Sequence, residues 1–114
     1  RDTKPMYDIR VERVLNALTH RMTESHTVEQ LAASVNLSPS RLAHLFKKQV
    51  GDSIIETLNK IRLREAARYL RFTSRQIGEI ARDVGFADPF YFTRQFTAFF
   101  GMSPAAYREQ DKHD

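Results

Sequence analysis

The stretch that decides the fold runs from Gln76 to Tyr107 and reads QIGEIARDVGFADPFYFTRQFTAFFGMSPAAY. Its first part places apolar residues at helical spacing and ends at Gly85, and its second part begins at Asp88-Pro89, a common helix start. The stretch therefore predicts a helix, a tight turn and a second helix. In a helix-turn-helix of this kind, the second helix can enter the major groove of DNA.

This stretch is the second of two copies of one unit. Before the turn, five apolar residues recur 49 positions apart: Val28, Leu31, Ala32, Val35 and Leu37 match Ile77, Ile80, Ala81, Val84 and Phe86. After the turn the offset is 50, and the matches are Leu42, Phe46, Val50, Gly51 and Ser53 with Phe92, Phe96, Phe100, Gly101 and Ser103. The extra residue falls in the turn, where insertions are best tolerated. The repeat predicts two helix-turn-helix units.

Helix-start signals divide the rest of the chain. Two pairs have the spacing of a capping box, Thr27 with Gln30 and Ser53 with Glu56. The other expected caps are Asp8, Ser38 before Pro39, Ser103 before Pro104, and either Thr73 or Ser74 for the fifth helix.

These signals predict an all-α protein of about seven helices, with two helix-turn-helix subdomains joined by a long linker helix. We expect the first subdomain at residues 8–52, the linker helix at 53–72 and the second subdomain at 73–109. Residues 110–114 are expected to form a tail. Residues 1–7 are interpreted as a linker from an N-terminal sensing domain that is missing from the chain.

Composition excludes several classes of function. The 114 residues include no cysteine, which removes disulfides, thiol catalysis and cysteine-based zinc sites. No apolar run approaches the roughly 20 residues that span a bilayer. The four histidines lack metal-site spacing with carboxylates, and no nucleophile elbow or glycine-rich phosphate loop is present. We therefore expect no enzyme, no cofactor and no membrane partner.

Positive charge is unevenly distributed along the chain. The net charge of +4 is modest for a nucleic-acid binder, so the placement of the bases matters more than their sum. Residues 38–49 contain three bases and no acid. On the linker helix, a stripe of Arg64, Arg68 and Arg71 has three interpretations: it contacts phosphates, it pairs with Glu65 and Asp83, or it faces a partner protein.

Together the two copies resemble the DNA-binding domain of the AraC/XylS family of bacterial transcription regulators. The segments IGEIARDVGF (77–86), YFTRQF (91–96) and GMSPAAYR (101–108) are similar to the signature region of that family. The segment LAASVNLSPSRLAHLFKKQVG (31–51) resembles its upstream helix-turn-helix, and SPSRLAHLF within it is similar to arabinose-type regulators. The resemblance covers roughly residues 8–109.

The resemblance implies two recognition helices, at residues 39–49 and 89–99. They are expected about 34 Å apart, which is one turn of DNA, so that they enter successive major grooves of an asymmetric site. By position along these helices, the residues expected at base edges are Ser40, Ala43, His44, Pro89, Phe90, Tyr91, Thr93 and Arg94. An arginine can hold guanine O6 and N7 with two donors, and an alanine can contact a thymine methyl group. Phosphate contacts are expected from Ser38, Arg41, Lys47, Lys48 and Lys60.

Several of these residues have a purely structural alternative. Arg94 could pair with Asp88 or Glu79, and His44 could be a surface histidine with no role. Three consecutive aromatic residues cannot all face one way, so we expect Phe92 inside and Tyr91 partly exposed, and leave Phe90 open. The other aromatic residues of this region are expected in the core: Phe86, Phe96, Phe99, Phe100 and Tyr107.

The resemblance also implies a function. It predicts transcription regulation in the bacterial cytoplasm, more often activation, by a domain that binds double-stranded DNA and touches RNA polymerase. The effector-sensing and dimerising domain of such regulators is absent from this chain, so the isolated domain is expected to be monomeric. The alternative is a helical protein-interaction module that kept the fold and lost its DNA contacts.

Overall fold

The computed structural model describes residues 6–111, and the side chains of residues 6–110. Within this range the chain is helical and contains no strand. The seven helices are α1 (Ile9–His20), α2 (Val28–Ser34), α3 (Pro39–Val50), α4 (Ile54–Phe72), α5 (Ile77–Asp83), α6 (Pro89–Phe100) and α7 (Pro104–Asp111). The all-α prediction is confirmed. The predicted linker and tail extend into residues 1–5 and 112–114, which lie outside the described residues.

The chain divides into two compact units, and the division falls within α4. Of the described residues, unit 1 contains 6–21 and 26–58, whereas unit 2 contains 22–25 and 59–111. The predicted subdomain limits did not assign residues 22–25 to the second unit. The reason is Arg62, whose Nε donates to the main-chain oxygen of Met22 over 2.7 Å and whose Nη2 donates to that of Glu24 over 2.9 Å.

Unit 1 has its own apolar core, and each of its helices contributes to it. The buried residues are Val11, Val14 and Leu18 of α1, Leu31 and Ala32 of α2, Val35 after it, Leu42 and Phe46 of α3, and Ile54 and Leu58 of α4. Five of them, Leu31, Ala32, Val35, Leu42 and Phe46, are apolar positions of the repeat that the sequence shows.

The core of unit 2 is rich in aromatic rings. Phe96 is fully buried, and its ring centroid lies 4.5 Å from that of Phe100 and 5.4 Å from that of Tyr107. Phe92 is also fully buried and lies 5.2 Å from Phe86, measured between centroids. Phe86, Phe92 and Phe100 replace the smaller Leu37, Leu42 and Val50 of the first copy, and Phe96 keeps the ring of Phe46, so the two cores share a pattern and differ in volume.

The prediction that Phe99 belongs to the core is wrong. Phe92, Phe96 and Phe100 are four residues apart and occupy the inward face of α6, so Phe99 falls on its flank. Its side chain remains 36% exposed, and the guanidinium of Arg64 lies 5.5 Å from its ring centroid. Helical spacing alone could not separate the centre of the face from its edge.

Most of the predicted caps are present. Both capping boxes form: Thr27 Oγ1 accepts from Gln30 N over 3.0 Å, and Ser53 Oγ accepts from Glu56 N over 3.1 Å. The cap predicted for α5 is wrong, because Gln76 precedes that helix and makes no side-chain cap bond. Thr73 instead ends the preceding helix, where its hydroxyl donates to the main-chain oxygen of Tyr69 over 2.7 Å.

The turns inside the two units have the same hydrogen bonds. In unit 1, Leu37 N donates to Ala32 O over 3.0 Å and Asn36 N donates to Ala33 O over 3.2 Å. In unit 2, the equivalent bonds join Phe86 to Ala81 over 2.9 Å and Gly85 to Arg82 over 3.0 Å. This is a Schellman motif, which satisfies the last carbonyls of a helix and turns the chain. The repeat detected in the sequence therefore extends to the backbone.

Each of the two turns contains one residue with positive φ. The angle is 59° at Asn36 and 111° at Gly85. Asparagine is one of the few residues other than glycine that tolerates the left-handed region near 60°, whereas an angle of 111° favours glycine alone. The two copies thus reach the same turn with different residues.

Candidate nucleic-acid interface

The second helix of each unit starts from a fixed first turn. Ser38 Oγ accepts a hydrogen bond from Arg41 N over 3.2 Å at the start of α3. Asp88 Oδ1 accepts one from Phe90 N over 2.9 Å at the start of α6. A proline occupies the first helical position in both cases, where its missing N–H costs nothing. Side chains on these first turns are therefore presented from a rigid backbone.

The outer face of α3 carries every residue that the sequence assigned to it. Leu42 and Phe46 are fully buried and define the inner face. On the other side, the exposed residues are Ser40, Arg41, Ala43, His44, Lys47 and Lys48, beside the exposed cap Ser38. No carboxylate belongs to this helix. The outer face of α3 is therefore cationic from its first turn to its last.

A groove of about 410 Å³ lies beside this face and was not predicted. Its lining residues are Arg10, Leu37, Ser40, Arg41, His44 and Leu45. It brings together predicted base-contacting and phosphate-contacting residues of α3 with a residue from the start of α1. Ser40, Arg41 and His44 supply hydrogen-bonding groups to this groove, and such groups can hold a phosphate beside an inserted helix.

Arg10 is the part of this groove that sequence reasoning missed. Its Nε and Nη2 donate to the two carboxylate oxygens of Asp8 over 3.0 and 2.8 Å. These hydrogen bonds, together with one from the Arg10 backbone, lower the pKa of Asp8 to about 2. Asp8 was expected only as a cap of α1. Nothing in the local sequence indicates that the start of α1 lies beside the outer face of α3.

On α6, the predicted base-contacting residues differ in exposure. Pro89, Phe90 and Arg94 are exposed, whereas Tyr91 and Thr93 are half-buried. Phe90 reaches 75% exposure, which answers the question that the sequence left open. The expectation that Tyr91 is partly exposed is confirmed.

Tyr91 is held by other residues of unit 2. Its ring centroid lies 6.0 Å from that of Phe86, and its hydroxyl accepts a hydrogen bond from Asn59 Nδ2 over 2.8 Å. Since a phenol can accept and donate at once, the hydroxyl hydrogen is still available for a further acceptor.

Arg94 forms no ion pair with any carboxylate among residues 6–110, so the alternative in which it pairs with Asp88 or Glu79 is wrong. Its guanidinium instead lies 5.9 Å from the ring centroid of Tyr91. Such a stacked arginine keeps its five N–H donors for an external partner.

The two outer faces carry different charges at equivalent positions. With the offset of 50, His44 corresponds to Arg94, and Lys47 and Lys48 correspond to Thr97 and Ala98. All of these residues are exposed. The last turns of α3 are therefore cationic where those of α6 are neutral.

The candidate phosphate residue Lys60 differs from the others. It is half-buried on α4 and already has an intramolecular interaction, whereas Arg41, Lys47 and Lys48 are exposed on α3. Lys47 also lies near Glu56, whose pKa is lowered mainly by its hydrogen bonds with Ser53 and to a smaller extent by this lysine.

The arginine stripe of α4 makes both ion pairs and ring contacts. Arg68 donates twice to the carboxylate of Glu65, with both distances 3.0 Å. The carboxylate of Asp83 pairs over 2.9 Å with Arg75, a residue that the sequence did not propose for it. The expected pairing is therefore confirmed for Glu65.

No three His, Asp or Glu side chains of the described residues lie together as metal ligands would. No helix in this part of the chain is long and apolar enough to cross a membrane.

Two tandem units, each with a capped second helix that presents an exposed outer face, define a helix-turn-helix protein. A family model described as a helix-turn-helix domain matches residues 31–110. The chain belongs to this family and to its AraC type, whose members are DNA-binding domains of transcription regulators. The predicted resemblance is confirmed.

Two relatives illustrate the similarity in sequence. The chain is 36% identical over 105 residues to the arabinose operon regulatory protein of Salmonella typhimurium. The matched region covers 91% of this chain and 37% of that protein. The chain is also 45% identical over 82 residues to the lactose operon transcription activator of Staphylococcus xylosus. This match covers 72% of this chain and 29% of that protein. The chain thus spans about a third of the length of these relatives.

Two solved structures illustrate the similarity in fold. The C-terminal domain of AraT, a response regulator from Geobacillus stearothermophilus, is 33% identical with a TM-score of 0.87, covering 93% of this chain and 88% of that one. The DNA-binding domain of AdpA, a global transcriptional factor solved in complex with a target DNA, is 28% identical with a TM-score of 0.83. That match covers 89% of this chain and 91% of the other.

Proposed function

We propose that this domain reads an asymmetric site in double-stranded DNA through the outer faces of α3 and α6. The observation that carries the proposal is the outer face of each helix, which is exposed, starts from a capped turn and contains cationic or hydrogen-bonding side chains. Beyond the proline that both helices have at their first position, the outer positions of the two copies differ, for example His44 against Arg94. Two different faces would recognise different bases, so one domain would need no palindrome.

We assign the strongest base discrimination to Arg94, because it is exposed and no carboxylate among the described residues competes for its donors. A bidentate contact to guanine contributes about 1–3 kcal/mol of discrimination. The other proposed base contacts are Ser40, Ala43 and His44 on α3, and Pro89, Phe90, Tyr91 and Thr93 on α6. The proposed phosphate contacts are Ser38, Arg41, Lys47, Lys48 and Lys60.

For the protein to which the domain belongs, we propose transcription activation in the bacterial cytoplasm, with RNA polymerase as a further partner. The relative from Staphylococcus xylosus is named a transcription activator, and its identity of 45% supports this sign of regulation. We assign effector sensing and dimerisation to a separate domain, and expect the isolated domain to be a monomer without enzymatic activity.

The experiment is the selection of bound sequences from a random duplex pool at two salt concentrations. We expect an asymmetric site with two conserved patches, one for each recognition helix. Arg94→Ala should relax base preference at one position, whereas Lys47→Ala should weaken binding to all sequences alike.

Two results would count against this function. Weak binding that selects no sequence and does not change with salt would favour the protein-interaction module. An equal loss of affinity of Arg94→Ala for the selected site and for random DNA would remove Arg94 from base reading.

A further inference from the structure

Phe90 is a large apolar side chain that α6 holds out of the core. It is 75% exposed, whereas Phe92, two residues further on, is fully buried. Among the described residues, Phe90 stacks on no other aromatic ring, although Phe86, Phe92 and Phe96 all do. The fold itself therefore gains little from this ring.

The backbone below Phe90 is fixed. Its N–H donates to Asp88 Oδ1 over 2.9 Å, and Pro89 occupies the first helical position. A phenylalanine has only two side-chain torsions, so a ring on this backbone loses little conformational freedom on contact. Phe90 is thus a rigid apolar projection at the start of a recognition helix.

The surroundings of Phe90 restrict its partner. Arg94 stands four residues further on, on the same outer face of α6, and is exposed. The equivalent position of the first copy holds Ser40, which is small and polar. The start of α6 is therefore apolar where the start of α3 is not. In the major groove, the apolar group that a base presents is the C5 methyl of thymine.

We propose that Phe90 contacts the methyl group of a thymine and makes unit 2 select that base at one position. This inference rests on the proposed insertion of α6 into the major groove. Four residues correspond to about 6 Å along a helix, and base pairs are stacked about 3.4 Å apart. The thymine therefore lies within about two base pairs of the position that Arg94 reads.

The test removes the methyl group from the DNA and the ring from the protein. In a selected duplex, each thymine is replaced in turn by deoxyuridine, which differs only by that methyl group, and the Kd is measured for the parent protein and for Phe90→Ser. For the parent, we expect about a fourfold loss of affinity at one thymine, the value for one buried methyl group. Phe90→Ser should bind the thymine and uracil duplexes equally, whereas Phe90→Leu should keep the preference.

Phe72→Ser provides a matched control. Phe72 is also exposed, at 70%, but it lies at the end of α4 and outside the proposed interface. This variant should keep the full preference for thymine. Thermal unfolding should give the same Tm for Phe90→Ser as for the parent, because the ring is already in solvent.

The outcomes separate the inference from the proposed function. If the parent protein selects no sequence, the proposed function fails and the inference fails with it. If a site is selected and no thymine near the Arg94 position responds to loss of its methyl group, the inference alone is wrong. The same conclusion follows if the response persists in Phe90→Ser.

Discussion

Arg62 Nε donates a hydrogen bond to the main-chain oxygen of Met22 over 2.7 Å, and both atoms lie against Gly85 in the turn of unit 2. A Cβ atom built on Gly85 would lie 2.7 Å from Arg62 Nε and 2.9 Å from Met22 O. The guanidinium also lies 5.7 Å from the ring centroid of Phe86, the residue after this glycine. The turn before the second recognition helix is therefore packed against one arginine.

We expect Gly85→Ala to destabilise the domain more than Gly51→Ala. Both glycines have positive φ, 111° and 97°, so both alanines would pay a backbone strain of about 1–3 kcal/mol. A Cβ at Gly51 has no atom within 4 Å, whereas one at Gly85 overlaps two. Urea unfolding of both variants measures the difference. Equal losses would show that the close approach of Arg62 and Met22 relaxes without cost.

Substitution of Arg62 should lower the stability of the domain and keep its base preference, whereas substitution of Arg94 should do the reverse. Arg62→Met leaves the main-chain oxygens of Met22 and Glu24 without their donor. The bond to Met22 is part-buried, and leaving one such acceptor unpaired lowers the free energy of unfolding by about 1–3 kcal/mol. Arg94→Met removes a side chain with no carboxylate partner among the described residues, so the free energy of unfolding should change by less than about 0.5 kcal/mol.

Measurement of the base preference of both variants in DNA binding completes this comparison. Arg94→Met should lose preference at one base while its stability is unchanged. Arg62→Met, measured at a temperature where it is folded, should keep that preference. A loss of stability in Arg94→Met would place this residue in the scaffold and not at the DNA.

The parts of the fold that the sequence predicted are those governed by local rules. Capping boxes, proline at the first helical position and apolar spacing act within a few residues, so Ser53 with Glu56 could be recognised directly. The repeat then extended each local signal to a second copy. The cap predicted for α5 was wrong because Thr73 can bond to either helix, and its hydroxyl donates to the preceding one.

The parts of the site that the sequence missed depend on contacts between distant residues. Arg10 lies at the groove beside α3 although 30 residues or more separate it from Ser40 and His44. The distance between Arg62 and Met22 in sequence is likewise 40 residues. No periodicity or cap relates such pairs, because tertiary packing alone brings them together.

The ion pair at the start of α1 should make stability depend on acid pH. Hydrogen bonds from Arg10 lower the pKa of Asp8 from 3.8 to about 2, so the folded state favours the carboxylate. The resulting stabilisation is present above about pH 4 and is lost as the pH falls toward 2. In Asp8→Asn the amide oxygen can still cap the helix, but it does not titrate.

Urea unfolding between pH 2 and 5 compares the two proteins. The free-energy difference between the parent protein and Asp8→Asn should grow from pH 2 to 4 and stay constant above. Parallel profiles across this range would mean that Arg10 does not hold the carboxylate in solution.

The difference in charge between the outer faces of α3 and α6 predicts a difference in salt dependence. Each phosphate contact contributes about −0.9 to the slope of log K against log salt concentration. Lys47→Ala and Lys48→Ala should therefore each make the slope shallower by about 0.9. The equivalent positions in the second copy are Thr97 and Ala98, which are exposed and neutral. Thr97→Ala should leave the slope unchanged.

The reverse substitution tests whether the two faces approach the DNA in the same way. Thr97→Lys places on α6 the cation that α3 has at the equivalent position, so the slope should become steeper by about 0.9. Titrations of one duplex at several salt concentrations give this slope directly, and an unrelated duplex should show the same change. If Thr97→Lys leaves the slope as it was while Lys47→Ala reduces it, the last turn of α6 does not lie beside a phosphate, and the two helices enter their grooves at different angles.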